Sequence, residues 1–567
     1  MKPALPDSVF DGFALTGRDY ASALLFKTGF ILSLFLAVLS VMISLSFFLD
    51  MPITAVHFPL AAVATIGTAY VVGMRNNIAT SHTTLSVLIA VLITGSAMVI
   101  AGVFYDLSWD GQAIHQEAVL QLAGGWNPVY SRLDDSVEHA IWIMHYPKGS
   151  WLQAAAIYAL TGSIETGKAA SIILIAASGL FVAALLLQVR NLPVWAVATL
   201  AALVALNPVS LYQGLTYYLD GQLSSLYIAL FTLLVATLYR PDKYMLFTGS
   251  ALVVLLINTK FTGLVYAITL LAVFGGALLF LQGWKRTLRL SALPVSGVLV
   301  GLLLVGYPTY VHNVIAHGTP FYPLLGEDAI DIVSHAKPDV MKSMNRAEAL
   351  FTSVFSVSSN SKEVVTPKNP LKLPSKGEIF TFSGNEMRVG GWGPWFGAML
   401  VLALPLAAVF FIACRSRHSK IVLLFSLVAI GVTVLINPES WWARYAPQLI
   451  LLPLVICIAY LACFSGYMKW PGLLLVAVAT LNCAMVAVPQ AIANLRGTIK
   501  LHRQLSELAQ SPAPLTVSFS IFEADRIRLI EAGIPYTSVA SEEALPCESP
   551  ETLVNSFAKV KFCTNTP

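Results

Sequence analysis

Apolar runs about twenty residues long recur along this chain, separated by short polar breaks. A run of that length spans the hydrocarbon of a bilayer as a helix. Such runs lie near 28–49, 55–74, 84–104, 170–189, 193–213, 222–239, 244–258, 261–281, 290–308, 395–413, 420–436, 446–464 and 471–489. The pattern predicts an α-helical polytopic membrane protein with about 13 transmembrane helices. Four stretches break it. Residues 105–168 and 309–394 form long polar loops, 437–445 a short turn, and 490–567 a tail of soluble character. In the tail, "LTVSFSI" (515–521) predicts a strand, "EADRIRLIEAG" (523–533) a helix with a Gly stop, and "KVKFC" (559–563) another strand. The tail therefore reads as a small C-terminal α/β module.

Composition agrees with this pattern. The chain has 567 residues, 57% hydrophobic and 11% charged. A soluble domain carries roughly 25% charged residues. The net charge of +4 does not point to nucleic acid. Its distribution is more informative. Basic residues in short loops mark the cytoplasmic face. Lys2, Arg18 and Lys27, then Arg75, Arg190, Arg240 and Lys243, Lys285, Arg286 and Arg289, Arg415, Arg417 and Lys420, and Lys469 all fall on one face of the thirteen-span threading. The reading is thus a cytoplasmic N-terminus (1–27), a transmembrane domain (28–489), and an exoplasmic module (490–567) that shares its face with both long loops. No N-x-S/T sequon occurs, which favours a bacterial inner membrane, with the C-terminus periplasmic. Cys547 and Cys563 lie in the exported tail and suggest a disulfide; two unpaired thiols are the alternative.

Ionisable groups beside a membrane are costly and hence functional candidates. "YDLSWDGQAIHQEAVLQL" (105–122) leaves the third apolar run carrying Asp106, Asp110, Gln112, His115 and Glu117. A carboxylate here can act as general base on a hydroxyl, and two can ligate a hard cation such as Mg, Mn or Ca. Asp110 can also simply cap a helix. His115 and Glu117 are candidate ligands or acceptor contacts, or an ordinary wet helix face. A second "DGQ" follows at Asp220, after Tyr217 and Tyr218, on the same face. Two such turns at one depth suggest a shared polar cavity, with Tyr217 and Tyr218 available to stack on a sugar. "HYPKGSW" adds Tyr146 and Lys148 to the first loop. Lys260 lies between apolar runs, and Arg444 precedes Tyr445 in "SWWARYAPQLILLPL". Either cation can hold a lipid-linked phosphate, Arg444 bidentately, or Arg444 can be an interfacial anchor. Residues 352–378, rich in Ser, Lys and Pro, read as mobile.

The layout resembles the GT-C superfamily of integral-membrane glycosyltransferases, which carry a large first exoplasmic loop with an acidic residue at the span–loop junction. Asp106 in "FYDLSWDGQ" takes that position, with Asp110 as its neighbour. "HGTPFYPLL" is similar to the G-N-P-x-F-P stretch of bacterial relatives of protein O-mannosyltransferases, with Thr319 in place of Asn. "ARYAPQLILLPL" is similar to the R-Y-x-x-P-x-x-x-x-P start of a late span, and the exported module resembles that of the arabinosyltransferase branch. Two spans precede the acidic loop here, where the family module has one. The resemblance implies inverting transfer of one sugar from a polyprenyl-phosphate donor to an exoplasmic glycan, lipid or protein. Asp106 would be the base, and Arg444 or Lys260 would meet the phosphate. Two alternatives remain open: a polysaccharide polymerase or O-antigen ligase, and a transporter or flippase.

Overall fold

The computed structural model of the chain describes residues 17–76, 78–241, 243–511, 513–554 and 557–564, so Lys2 lies outside the described residues. The first apolar runs form α1 (Gly17–Phe48), α2 (His57–Arg75) and α3 (Thr80–Val103). The first loop folds into α4 (Gln116–Ala123), α5 (Ala140–His145) and α6 (Gly149–Thr161). The chain continues through α7 (Ala169–Leu187), α8 (Val194–Ala205), α9 (Pro208–Gln213), α10 (Asp220–Tyr239), α11 (Lys243–Thr259), α12 (Phe261–Gln282) and α13 (Trp284–Val300). Short helices α14 (His312–His317), α15 (Arg346–Val354) and α16 (Lys376–Thr381) belong to the second loop. The bundle closes with α17 (Phe396–Ala413), α18 (Arg417–Ile436), α19 (Leu451–Cys463) and α20 (Trp470–Leu508).

Among the described residues, ten helical segments are long and apolar enough to cross a membrane, which makes this a multi-pass helical membrane protein. Three of the predicted spans are shorter apolar helices, at Val194–Ala205, Tyr244–Thr259 and Pro447–Cys463. The 193–213 run is broken by Asn207–Pro208. Proline removes a backbone donor and bars its predecessor from helical geometry. The Asn207 side chain instead caps α9, accepting from Ser210 N at 3.2 Å. Residues 446–450 form a tight turn before α19 begins.

Helix α10 is the hub. Its most apolar window is 94% buried, against 28% for α2 and α3, which turn most of their surface outward. It packs on α7, α11 and α12. Only Lys260 separates α11 from α12, in extended backbone (φ −158°, ψ 154°). A hairpin this tight needs Gly263, because a Cβ there would collide with the Leu256 carbonyl.

Three of the basic short segments meet at one end of the bundle: Arg190 pairs with Asp19, Arg18 donates to the Val189 carbonyl, and Lys469 to that of Asn191. The long loops meet at the other. His145 of the first loop bonds Asn313 at 2.7 Å, and Asn313 in turn donates to the His145 and Tyr322 carbonyls. The stretch 352–378, expected to be mobile, is instead pinned: Val357 N donates to Thr366 O at 2.8 Å, and Lys368 pairs with Glu378 at 2.9 Å.

The boundary expected at 490 falls inside a helix. α20 runs through Pro489 to Leu508 because Gln490, Asn494, Thr498, Leu501, Leu505 and Leu508 keep a buried face at helical spacing. Beyond it, β1 (Leu515–Ser518), α21 (Arg526–Glu531), β2 (Tyr536–Ser538), β3 (Glu551–Thr552) and β4 (Lys561–Thr564) build a four-stranded sheet of order β2-β1-β4-β3. Gly533, at φ +69°, follows α21. Cys547 and Cys563 are disulfide-bonded, with Cα atoms 5.9 Å apart.

Candidate functional site

Five chain segments place acidic or basic side chains at the loop end of α10. Asp220 is that helix's first residue and is fully buried. Lys260, held in its one-residue turn, donates to Asp220 Oδ1 at 2.5 Å. Arg444 donates through Nε to Asp220 Oδ2 at 2.7 Å, through Nη2 to Asp110 Oδ2 at 2.6 Å, and through Nη1 to Glu386 Oε2 at 3.2 Å. The two DGQ turns thus meet through one guanidinium. Aromatic rings wall the site: the Arg444 Cζ lies 4.3 Å from the Tyr218 ring centre and 5.7 Å from that of Tyr445, and Lys260 Nζ lies 4.2 Å above Tyr445. Tyr218 donates its hydroxyl to Glu386 Oε2 at 3.1 Å.

Burial divides the acids by role. Asp220 is sealed with two cations, an arrangement that holds the site together. Asp110 and Glu386 keep 23% and 22% of their side chains exposed, so these two can meet a ligand. Three carboxylates face two cations; Arg388, 3.5 Å from Glu386, restores neutrality. Beside them His115 is buried, and its Nδ1 accepts from Trp151 Nε1 at 3.1 Å. Burial holds its pKa down at about 4, so the ring is neutral and carries its proton on Nε2, a donor.

Asp106 faces a different neighbourhood. It is fully buried, and its two oxygens accept from the backbone N–H groups of Ser108 (2.8 Å) and Tyr217 (3.0 Å). Burial, then the Glu165 charge, raise its pKa to about 6. Its own N–H and C=O are tied to Glu165 (2.9 Å) and Arg528 (2.6 Å). The carboxylate therefore fixes the loop's path. The general-base assignment does not fit it, because neither oxygen is open to a substrate. The oxygens of Asp106 and Asp110, expected as a possible cation pair, accept from separate donors. Among the described residues no group of three or more His, Cys, Asp or Glu is placed to hold a metal ion.

Lys148 forms the basic counterpart. It is buried, and its Nζ donates to the carbonyls of Met144 (2.6 Å) and Tyr146 (3.0 Å) and to Thr309 Oγ1 (3.3 Å). Among the described residues no carboxylate pairs with it. Burial lowers its pKa to about 7.

The other expected contacts are structural. Glu117 forms a two-toothed pair with Arg526, and Gln112 bonds the Asp106 carbonyl at 3.2 Å, both at the seam with the C-terminal sheet. Tyr217 cannot stack on a sugar, because it is buried and its hydroxyl donates to the Ile164 carbonyl. Tyr146 is packed on Phe261, ring centres 4.9 Å apart. Glu386 was missed by the sequence reading, as were the seam residues Glu165, Arg526 and Arg528. The one signal for Glu386 is its place between Asn385 and Arg388, just before the Gly/Trp stretch 390–397.

Compared with known proteins, the chain matches no family model and no curated protein.

Proposed function

We propose that the protein is a membrane glycosyltransferase that moves a sugar from a polyprenyl-phosphate donor to a hydroxyl acceptor on the loop side, read as periplasmic. The observation that carries this is the convergence of Asp110, Asp220 and Glu386 on Arg444 at the loop end of an apolar bundle. Such a site lies where a lipid tail can stay in hydrocarbon while its head meets water.

In this reading Asp110, rather than Asp106, is the base. It takes the acceptor hydroxyl proton as that oxygen bonds the anomeric carbon and the bond to phosphate breaks. Arg444 aims Asp110 through its 2.6 Å bond. The phosphate goes to Lys148 in preference to Arg444, and takes the place of the Thr309 hydroxyl, the longest of the three bonds the Lys148 ammonium makes, at 3.3 Å. Adding an anion at Arg444 would crowd three carboxylates, whereas Lys148 has none to compete. Glu386 and the neutral His115 are placed to orient acceptor hydroxyls. A polymerase or ligase would use the same groups with a glycan acceptor. A transporter would need the Lys260–Asp220 pair to exchange protons.

The test is release of polyprenyl phosphate from a panel of polyprenyl-phosphate sugars by the protein in lipid nanodiscs. Asp110→Asn should lower it by about 100-fold or more, the usual contribution of a general base. No release from any donor by the parent protein, together with proton-coupled solute uptake into vesicles, would favour the transporter.

A further inference from the structure

Helix α20 is 39 residues long, about 58 Å, nearly twice the roughly 30 Å hydrocarbon thickness. Leu474, Leu481, Val488, Ile492, Leu495 and Ile499 fall on one face and are each between 40% and 58% exposed. The stripe starts in the membrane-crossing part and continues without a break past residue 489, where the hydrocarbon should end. From Trp470 to Ile499 it covers about 44 Å, the thickness of a bilayer with its headgroups. Arg496, Lys500 and Arg503 follow on the same side, exposed and without an ion pair among the described residues. The opposite face is occupied: Thr498 Oγ1 accepts from Tyr105 N at 3.2 Å, and Leu501 and Leu505 enter the core beneath the C-terminal sheet.

We infer that the outer face of α20 from Ile492 to Arg503 is a lipid-docking surface, lying against the bilayer's headgroup layer and gathering anionic phospholipid. Two observations select lipid as the occupant. The stripe is continuous with a face already in the membrane. Three exposed cations, Arg496, Lys500 and Arg503, flank its far end, where the stripe leaves the hydrocarbon. A second copy of the chain fits less well, although residues 488, 492, 495 and 499 have coiled-coil spacing. Pairing would press Arg496 and Arg503 against their own copies, and the apolar pattern stops at His502 and Ser506. The arrangement fastens to the bilayer the helix that, on its other side, carries the start of the first loop.

The experiment uses the full chain in nanodiscs, with the four free cysteines replaced by serine and a bimane fluorophore on Leu495→Cys. Brominated phosphatidylglycerol should quench it severalfold more than brominated phosphatidylcholine. Neutralising Arg496, Lys500 and Arg503 together to Gln should remove that preference while quenching by lipid persists. A label on Ile530→Cys, in the module, should be quenched by aqueous iodide only. Iodide quenching at 495 equal to that at 530 would overturn the proposal. So would equal quenching by the two lipids in the parent protein. A spin label at 495 that shows dipolar broadening, unchanged when labelled protein is diluted with unlabelled lipid, would assign the face to a second copy instead.

Discussion

Asp106 and Asp110 are four residues apart, yet one fixes the loop and the other faces the cation network. The difference is tertiary: the Tyr217 amide reaches Asp106 Oδ2, and Arg444 reaches Asp110. Sequence shows both acids but not which way the turn aims them. The DGQ repeat was the better guide, since its two aspartates do share a partner. Glu386 sits in a loop without periodicity, so nothing local reveals it. Asp106→Asn turns one accepting oxygen into a donor facing a backbone N–H. It should cost about 1–3 kcal/mol, read as a lower thermal midpoint in detergent. Asp110→Asn, at a partly open site, should leave that midpoint nearly unchanged. Lys148 adds a pH dependence. With a pKa of about 7 it is charged below neutrality and discharged above. Donor KM should therefore rise between pH 6 and 8, and Lys148→Met should flatten the profile at a high KM. A KM independent of pH in the parent protein would remove Lys148 from the phosphate site.

At the scale of elements, the α11–α12 hairpin and the loop–module seam hold the site in place. Long apolar runs made most helices readable. The break at Lys260 and the continuation of α20 through Pro489 were not, because close packing rather than local preference decides them. Gly263→Val should fail to close the hairpin and displace Lys260, seen as loss of folded protein on gel filtration. The seam buries Asp106 and Asp525; burial, joined by neighbouring carboxylates, raises each pKa to about 6. Asp525 lies 2.9 Å from Arg528 Nη1, but neither of its oxygens is hydrogen-bonded. A carboxyl with a higher pKa folded than unfolded stabilises the fold while protonated. That contribution is complete below about pH 4 and is lost as pH rises through about 6. The seam should therefore be more open to protease at pH 7 than at pH 5, and a protection pattern that runs the other way would contradict it.

For the whole molecule, hydropathy revealed a multi-pass bundle, and charge distribution separated its two ends. The structure agrees on that separation, with Arg18, Arg190 and Lys469 at one end and the Arg444 network at the other. What one sequence could not supply is the convergence itself: residues 110, 220, 260, 386 and 444 come from five segments joined only by the fold. The account predicts that these residues form one catalytic unit. Its most direct test is single-turnover transfer from a polyprenyl-phosphate sugar by purified protein in nanodiscs, comparing the parent with Asp110→Asn and Asp106→Asn at equal folded fraction. Transfer should fall by about 100-fold or more in Asp110→Asn and stay within severalfold of the parent in folded Asp106→Asn. The reverse order, with Asp110→Asn fully active and folded Asp106→Asn dead, would contradict the account.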